Sequence, residues 1–460
     1  MAIRIRRKLT GLFVGAALAM APVASSAETL ADALIGAYKH SGLLEQQRAL
    51  LRAADEDVAQ SLAALRPVLS YTAQVRASRS SQSLLRDEWD TNASVGITAS
   101  LVLYDFYASA YGTQVQKELV LATREALVAA EQSVLLGATQ SYMEVRRQSA
   151  FVDLRRSNVR VIGEELRAAQ DRFDVGEVTR TDVALAEARL ASARSQLAGA
   201  QGNLAQAKEQ FYRAVGRAPG ALAAPTNPPA LARDEAAAKR YAVKYHPSVK
   251  EAQRNVTAAE FRIAEARAGT KPTLQLQGQL TLNDEWETDE SVTLQLSGPI
   301  YSGGQIASLI RQQSARRDAQ RAALHLTTHE IRESVGNAYS SLTTAIASRE
   351  AFARQVRASR IAFRGVREEA TLGSRTTLDV LDAEQELLDA QTNLISAQID
   401  EINARYSILA SMGLMTAEHL KLGIRTYDPT AYYDLVKNAP ASHSKQGKQL
   451  DRVLKAIGKQ

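Results

Sequence analysis

The sequence predicts an α+β membrane protein built from one unit written twice, in which β-hairpins alternate with very long helices. Three observations carry that expectation. Landmarks recur at a fixed spacing, four stretches alternate apolar with polar residues, and proline is absent from Pro67 to Pro219 and from Pro299 to Pro429. Tyr104 and Tyr301, Gly176 and Gly373, Asp182 and Asp379, and Gly216 and Gly413 all stand 197 positions apart, which marks internal duplication. Arg66-Pro67-Val68-Leu69 answers Lys271-Pro272-Thr273-Leu274 at 205, so the first copy holds eight extra residues. They fall before Asp87-Glu88-Trp89, which meets Asp284-Glu285-Trp286 at 197 again.

Residues 1–27 read as a signal peptide: Arg4, Arg6, Arg7 and Lys8 precede an apolar run, and Ser25-Ser26-Ala27 offers a small-residue cleavage site. The chain is exported, yet it has no cysteine, hence no disulfide and no acylatable thiol. No other stretch reaches the roughly 18 apolar residues of a spanning helix, so any membrane crossing falls to strands. The net charge of +6 divides into +4 on the signal and +5 on residues 437–460, leaving −3 elsewhere. That partition argues against nucleic acid as a partner.

The first repeat, residues 28–218, opens with a helical segment over about 30–65, ended by Pro67. A hairpin over 68–103 follows, with Leu69, Tyr71, Ala73 and Val75 alternating with Ser70, Thr72, Gln74 and Arg76. From about Tyr107 to Phe173 a proline-free run predicts one helix roughly 100 Å long. After Gly176 the period becomes seven: Val183, Leu190, Leu197, Leu204 and Phe211, each with an alanine three positions later. Residues 219–234, with Pro219, Pro225, Pro228 and Pro229, form a linker. The second repeat, 235–416, runs through the same order with its hairpin at 273–300 and its heptads at Leu381, Leu388, Ile395, Ile402 and Leu409. Residues 417–460 make a periplasmic tail. Tyr427, Tyr432 and Tyr433 are expected to pack on the outside, and the basic end from Lys437 to be disordered.

The strands have the length and the lipid-out, water-in pattern of membrane strands, although two amphipathic hairpins on a soluble sheet would alternate in the same way. The two tryptophans, Trp89 and Trp286, fall at the hairpin tips and Tyr104 and Tyr301 at the opposite ends, as membrane interfaces select. Four strands cannot close a barrel, and an open edge in lipid leaves backbone groups unpaired. Two chains would give eight strands and a filled interior; three give twelve and a water-filled lumen, which suits inward faces rich in glutamine and serine.

At the second turn, Thr376 and Asp379 match a capping box with aspartate at its third position, repeated by Thr179 and Asp182. Asp382 lies one turn deeper on the same face. Such i,i+3 carboxylates on one helix do not flank a substrate as a catalytic pair does. His325 and His329 share a helix face, but no third metal ligand accompanies them, and no nucleophile, Walker loop or dinucleotide fingerprint is present. The expectation is a protein that is not an enzyme and needs no cofactor and no metal. A periplasmic structural coiled coil is the competing reading of the heptads.

The order of helix, hairpin, long helix, glycine turn and heptad helix, twice over, is similar to the TolC family of outer-membrane channel-tunnels. So are Pro299-Ile300-Tyr301-Ser302-Gly303-Gly304 and Gly373-Ser374-Arg375-Thr376-Thr377-Leu378-Asp379-Val380-Leu381-Asp382. The resemblance covers nearly all of residues 28–420. It implies a homotrimer in the lipid of the outer membrane, with a twelve-stranded barrel continued by a periplasmic α-helical barrel. It further implies an exit duct for type I protein secretion or multidrug efflux, docked to a periplasmic adaptor and an inner-membrane ABC or RND transporter. By the same resemblance Asp379 and Asp382 are entrance carboxylates that raise one another's pKa, Gly176 and Gly373 are the turn glycines, and Arg375 latches the end through Thr181 and Asp182 of a neighbouring helix pair. The family's tyrosine three residues before the second turn glycine is Ala370 here, so one latch contact is absent.

Overall fold

Each repeat folds as two short helices, a hairpin and two long helices, and the two copies match almost residue for residue. The computed structural model describes residues 27–79, 89–225, 229–231, 234–441 and 443–457. The signal sequence before Ala27, Asp87 and Glu88 of the first hairpin, and Pro228 of the linker lie outside the described residues. The first copy comprises α1 (Leu30–His40), α2 (Gly42–Ala63), β1 (Val68–Arg79), β2 (Trp89–Tyr104), α3 (Ala108–Asp174) and α4 (Arg180–Val215). The second comprises α5 (Glu235–Tyr245), α6 (Pro247–Ala268), β3 (Thr273–Asn283), β4 (Thr288–Ser297), α7 (Gln305–Thr371) and α8 (Thr377–Ser411). Both α3 and α7 are 67 residues long, so each extends about 100 Å.

The opening helical segment of each repeat is broken in two, where the sequence suggested one helix. Ser41 ends α1 and caps α2 by accepting from the Leu44 N–H; His246 ends α5 and caps α6, with Pro247 in the first helical position. Both are extended at the break, with ψ of 111° and 133°, so the helix restarts in a new direction.

The strands form one antiparallel sheet in the order β1-β2-β3-β4. Its register unites the apolar residues on one face: Tyr71 opposes Ile97, Ile97 opposes Leu280, and Leu276 opposes Leu294. Ser70, Thr98 and Gln279 line up on the other. The sheet has no core: Leu69, Tyr71, Val75, Val292, Leu294 and Leu296 are all exposed in the single chain. A sheet with apolar side chains bare on one face and two unpaired edges is not a stable arrangement in water.

At the strand-to-helix corners the backbone turns through two left-handed residues. In the second copy they are Gly303 and Gly304, with φ of 59° and 86°; in the first they are Phe106 and Tyr107, with φ of 53° and 67°. The aromatic pair pays roughly 1–2 kcal/mol per residue for a conformation that glycine adopts freely. It gains a cluster with Tyr104, whose ring lies 4.8 Å from that of Phe106 and 6.0 Å from that of Tyr107.

The helices form a layer in which α3 packs against α2, α4, α6 and α8, whereas α7 packs against α5, α6 and α8. Eighteen residues of α3 are buried and only seven of α7, so α7 keeps a free flank where α3 has neighbours. The main core gathers Leu34, Leu44, Leu51, Leu135, Tyr142, Phe211 and Leu409 around α3. The Tyr142 hydroxyl lies 2.8 Å from the Glu28 carbonyl and 2.6 Å from that of Ala223, tying the start of the repeat to the linker.

The tail corrects an expectation. Residues 431–436 form α9 (Ala431–Val436), and beyond Lys437, in place of the expected disorder, residues 445–457 form α10 (Lys445–Ile457). Tyr432 and Val436 bury against Ala59 of α2, and Tyr432 donates to Glu56 at 2.5 Å. Lysine and arginine run along one side of α10 only, which composition alone does not reveal.

Beneath the tail, Asp55 of α2 is fully buried with neither carboxylate oxygen hydrogen-bonded. Burial pushes its carboxyl up to about 6, against the opposing pull of Arg124. An acid whose folded pKa is raised binds a proton more tightly when folded, so stability is lost as pH rises from about 4 to about 6. Asp55→Asn is expected to melt higher than wild type at pH 8, by up to about 3 kcal/mol, and to converge with it near pH 4. Circular dichroism melts at the two pH values check this, and an equal difference at both would refute the burial effect.

Candidate functional site

The two turns at the far ends of the long helices share one construction. At Gly176 the glycine N–H donates to the Phe173 carbonyl at 2.9 Å and Glu177 N–H donates to the Arg172 carbonyl at 2.9 Å. At Gly373 the matching bonds run to Ala370 at 3.2 Å and from Ser374 to Glu369 at 3.0 Å. This closure requires a left-handed residue, and φ is 82° at Gly176 and 76° at Gly373. Nothing lies within 4 Å of a Cβ added at either, so it is conformation and not space that selects glycine.

Three residues later each next helix starts with a complete capping box. Thr179 Oγ1 accepts from the Asp182 N–H at 3.3 Å while Asp182 accepts from the Thr179 N–H at 2.9 Å. Thr376 and Asp379 repeat the pattern at 3.2 and 2.9 Å. Donation from the Thr376 backbone and hydroxyl holds the Asp379 carboxyl below its usual range, and the Thr179 hydroxyl and backbone do the same for Asp182. Within one chain, then, Asp379 is shifted opposite to the direction expected for a ring of converging acids; capping sets it.

The other predicted site residues have partners that sequence reading did not supply. Arg375 Nε donates to Glu369 of its own turn at 2.9 Å, and Thr181 and Asp182 stand in the first turn of α4. Asp382 accepts from Arg189 of α4 at 2.8 Å, an exposed pair joining the two repeats. A short way up, Arg367 pairs with buried Glu165 at 2.9 Å, and Asn158 donates to buried Glu384 at 3.2 Å. Ala370, in the place of the latch tyrosine, is buried among Val356, Phe363 and Val380. Its carbonyl accepts from Arg172 at 3.5 Å. Apart from Arg375 and Glu369, which are six positions apart, these partners lie about 190–230 positions apart in sequence, beyond the reach of any local periodicity.

At the other end of the molecule Trp89 begins β2 and Trp286 sits in the β3–β4 turn, while Tyr104 ends β2 and Tyr301 follows β4. All four are exposed. Among the described residues no cluster of three or more metal-ligating side chains occurs, and no helix is long and apolar enough to cross a membrane.

The family model for outer membrane efflux proteins matches residues 37–217 and again 240–414, one match to each repeat. The chain belongs to that family. It is 31% identical to the outer membrane efflux protein BepC of Brucella suis over 90% of this chain and 92% of that one. It is 26% identical to the outer membrane protein TolC of Vibrio cholerae, over 88% and 94%. The solved open state of the Neisseria gonorrhoeae MtrE outer membrane channel shares the fold, with a TM-score of 0.73, 20% identity, and 85% and 90% coverage. As a member, the chain is an outer-membrane channel protein that extends into the periplasm, not a periplasmic coiled coil.

Replacing Gly373 by alanine is expected to cost about 1–2 kcal/mol through φ alone. Hydrogen exchange in peptides spanning 369–380 should accelerate while exchange in the α3 core stays unchanged. Unaltered turn exchange would show that the left-handed closure does not hold this end.

Proposed function

We propose that three copies of the chain close into a twelve-stranded barrel in outer-membrane lipid, continued by a periplasmic tunnel of helices gated at its six turns. The observation that supports this most is the pattern of missing neighbours. The sheet ends at β1 on one side and β4 on the other, and α7 has a free flank where its counterpart α3 meets α6 and α8. A second chain can supply β1, α2 and α4 to those places in the way that β3, α6 and α8 already serve β2 and α3. Three chains, with serine, threonine and glutamine facing inward, leave a wet lumen.

The tunnel serves as the exit duct of a tripartite export system, with a periplasmic adaptor and an inner-membrane ABC or RND transporter at its turn end. The cargo is small molecules, as in the efflux named for BepC, or a protein substrate of type I secretion. Trp89, Trp286, Tyr104 and Tyr301 mark the two lipid interfaces. Arg375, Thr181 and Asp182 act as the latch between neighbouring helix pairs, for which Arg375 must exchange Glu369 for Asp182. Asp379 and Asp382 form two rings of three acids that favour cations in the constriction.

The repeat predicts a register for the closing seam. Carrying β2 onto β4 by 197 and β3 onto β1 by 205 turns the pair Ile97 and Leu280 into Leu294 of one chain opposite Val75 of the next. Because the chain has no cysteine, Val75→Cys with Leu294→Cys should give covalent trimers on oxidation in membranes, and either single variant none. Failure of the double variant to cross-link would overturn closure in this register. For the gate, Asp379→Ala with Asp382→Ala is expected to reduce cation selectivity in planar-bilayer recordings. Arg189→Ala, which frees Asp382, should increase it. Unchanged reversal potentials in both would remove the carboxylate rings.

A further inference from the structure

The C-terminal helix α10 is a basic amphipathic helix tethered beside the base of the sheet, and we propose that it lies on the periplasmic leaflet of the outer membrane as an anionic-lipid anchor. This rests on the reading of the sheet as a membrane barrel. Its residues divide cleanly at 100° per residue. Leu450, Val453 and Leu454 fall on one side, while Lys445, Lys448, Arg452 and Lys455 cluster on the opposite side, with Asp451 the one acid. A helix with such a division and low overall hydrophobicity suits the boundary between headgroups and acyl chains.

Position supplies the second argument. Arg66 donates through Nη1 to the Ala439 carbonyl at 3.0 Å and through Nη2 to the Asn438 carbonyl at 2.5 Å. Two residues after Arg66, Val68 begins β1, so the tail is pinned where helix gives way to strand. In a barrel that end of the sheet is the periplasmic rim, since all the long helices leave from it. Six residues beyond Ala439, α10 starts with Ser444 accepting from the Gly447 N–H at 2.9 Å.

Energetics supply the third. A 13-residue helix carrying an internal glycine does not hold in water by propensity alone and needs a covered apolar face. Among the described residues, Leu450 reaches a core, the small cluster of Ala59, Tyr432 and Val436, while Val453 and Leu454 remain 38% and 37% exposed. A lipid surface covers the remainder and matches the charge, for the four cations attract anionic phospholipid and their aliphatic stems extend along the interface. The helix is thus an outrigger that fixes the height of the barrel in the bilayer.

Single-cysteine variants of the full chain test this without background, because it has no cysteine of its own. Spin labels at Val453→Cys, Arg452→Cys and Tyr71→Cys are placed in proteoliposomes of phosphatidylethanolamine with phosphatidylglycerol, and collision with oxygen is compared with collision with a water-soluble nickel chelate. The label at 453 is expected to favour oxygen and the label at 452 nickel. Replacing phosphatidylglycerol by phosphatidylcholine, or introducing Lys448→Gln and Lys455→Gln, should lower the docked fraction about fivefold per cation removed. Equal nickel access at 453 and 452 with the Tyr71 label in lipid overturns the anchor alone. A water-exposed Tyr71 label defeats the barrel reading and the anchor with it. Protection of 453 in native envelopes but not in proteoliposomes assigns the face to a protein and overturns the lipid proposal.

Discussion

Backbone hydrogen bonding at the edges of a four-stranded sheet is the constraint on which this structure turns. In water, β1 and β4 could leave their outer N–H and C=O groups to solvent; in lipid each such group costs several kcal/mol, and among the described residues no helix packs over them. The same incompleteness appears in the helical part, where α7 lacks the neighbours that α3 has. Sheet and helices are therefore unfinished on corresponding sides. One operation, the proposed apposition of another copy, would complete both.

Duplication makes that apposition nearly equivalent to contacts inside the chain, yet the copies are not identical. Where the second uses Gly303 and Gly304 to turn from strand to helix, the first uses Phe106 and Tyr107 in the same left-handed conformation. Local strain is accepted to place aromatic rings at the rim, beside Tyr104. The eight extra residues of the first hairpin and the tail, which packs on α1, α2 and α3, add to the asymmetry.

Much of this was legible in the sequence because it is periodic. Strict sevens, alternation by two, proline-free runs and a spacing of 197 are local or translational patterns, and they yield the long helices, the strands, the capping boxes and the turn glycines. The breaks at Ser41 and His246 were missed although each carries a local signal, a serine cap in one copy and a proline at the first helical position in the other. What was not legible depends on which side chains meet across the bundle. Arg189 with Asp382 and Arg367 with Glu165 meet across the bundle, and Arg375 is held by Glu369 of its own turn where the resemblance gave it Thr181 and Asp182. The order in α10 escaped for another reason: net charge suggests disorder, and only the sorting of that charge by helical angle reveals a face.

The ion pairs that join the repeats bear on how the proposed duct opens. Arg147 with Asp400, Arg367 with Glu165 and Arg189 with Asp382 link the two halves of a single chain. Shifted by 197, the positions facing one another between chains become Thr344 with Asn203, Gln170 with Ala362, and Glu386 with Leu185. None of those can form an ion pair. In the proposed ring of six helix pairs, these three ion pairs would therefore recur at the joints within each chain and be absent from the joints between chains. If the proposed trimer forms, dilation would meet less resistance from these pairs at the joints between chains, and the aperture would behave as three stiff blades instead of six independent staves.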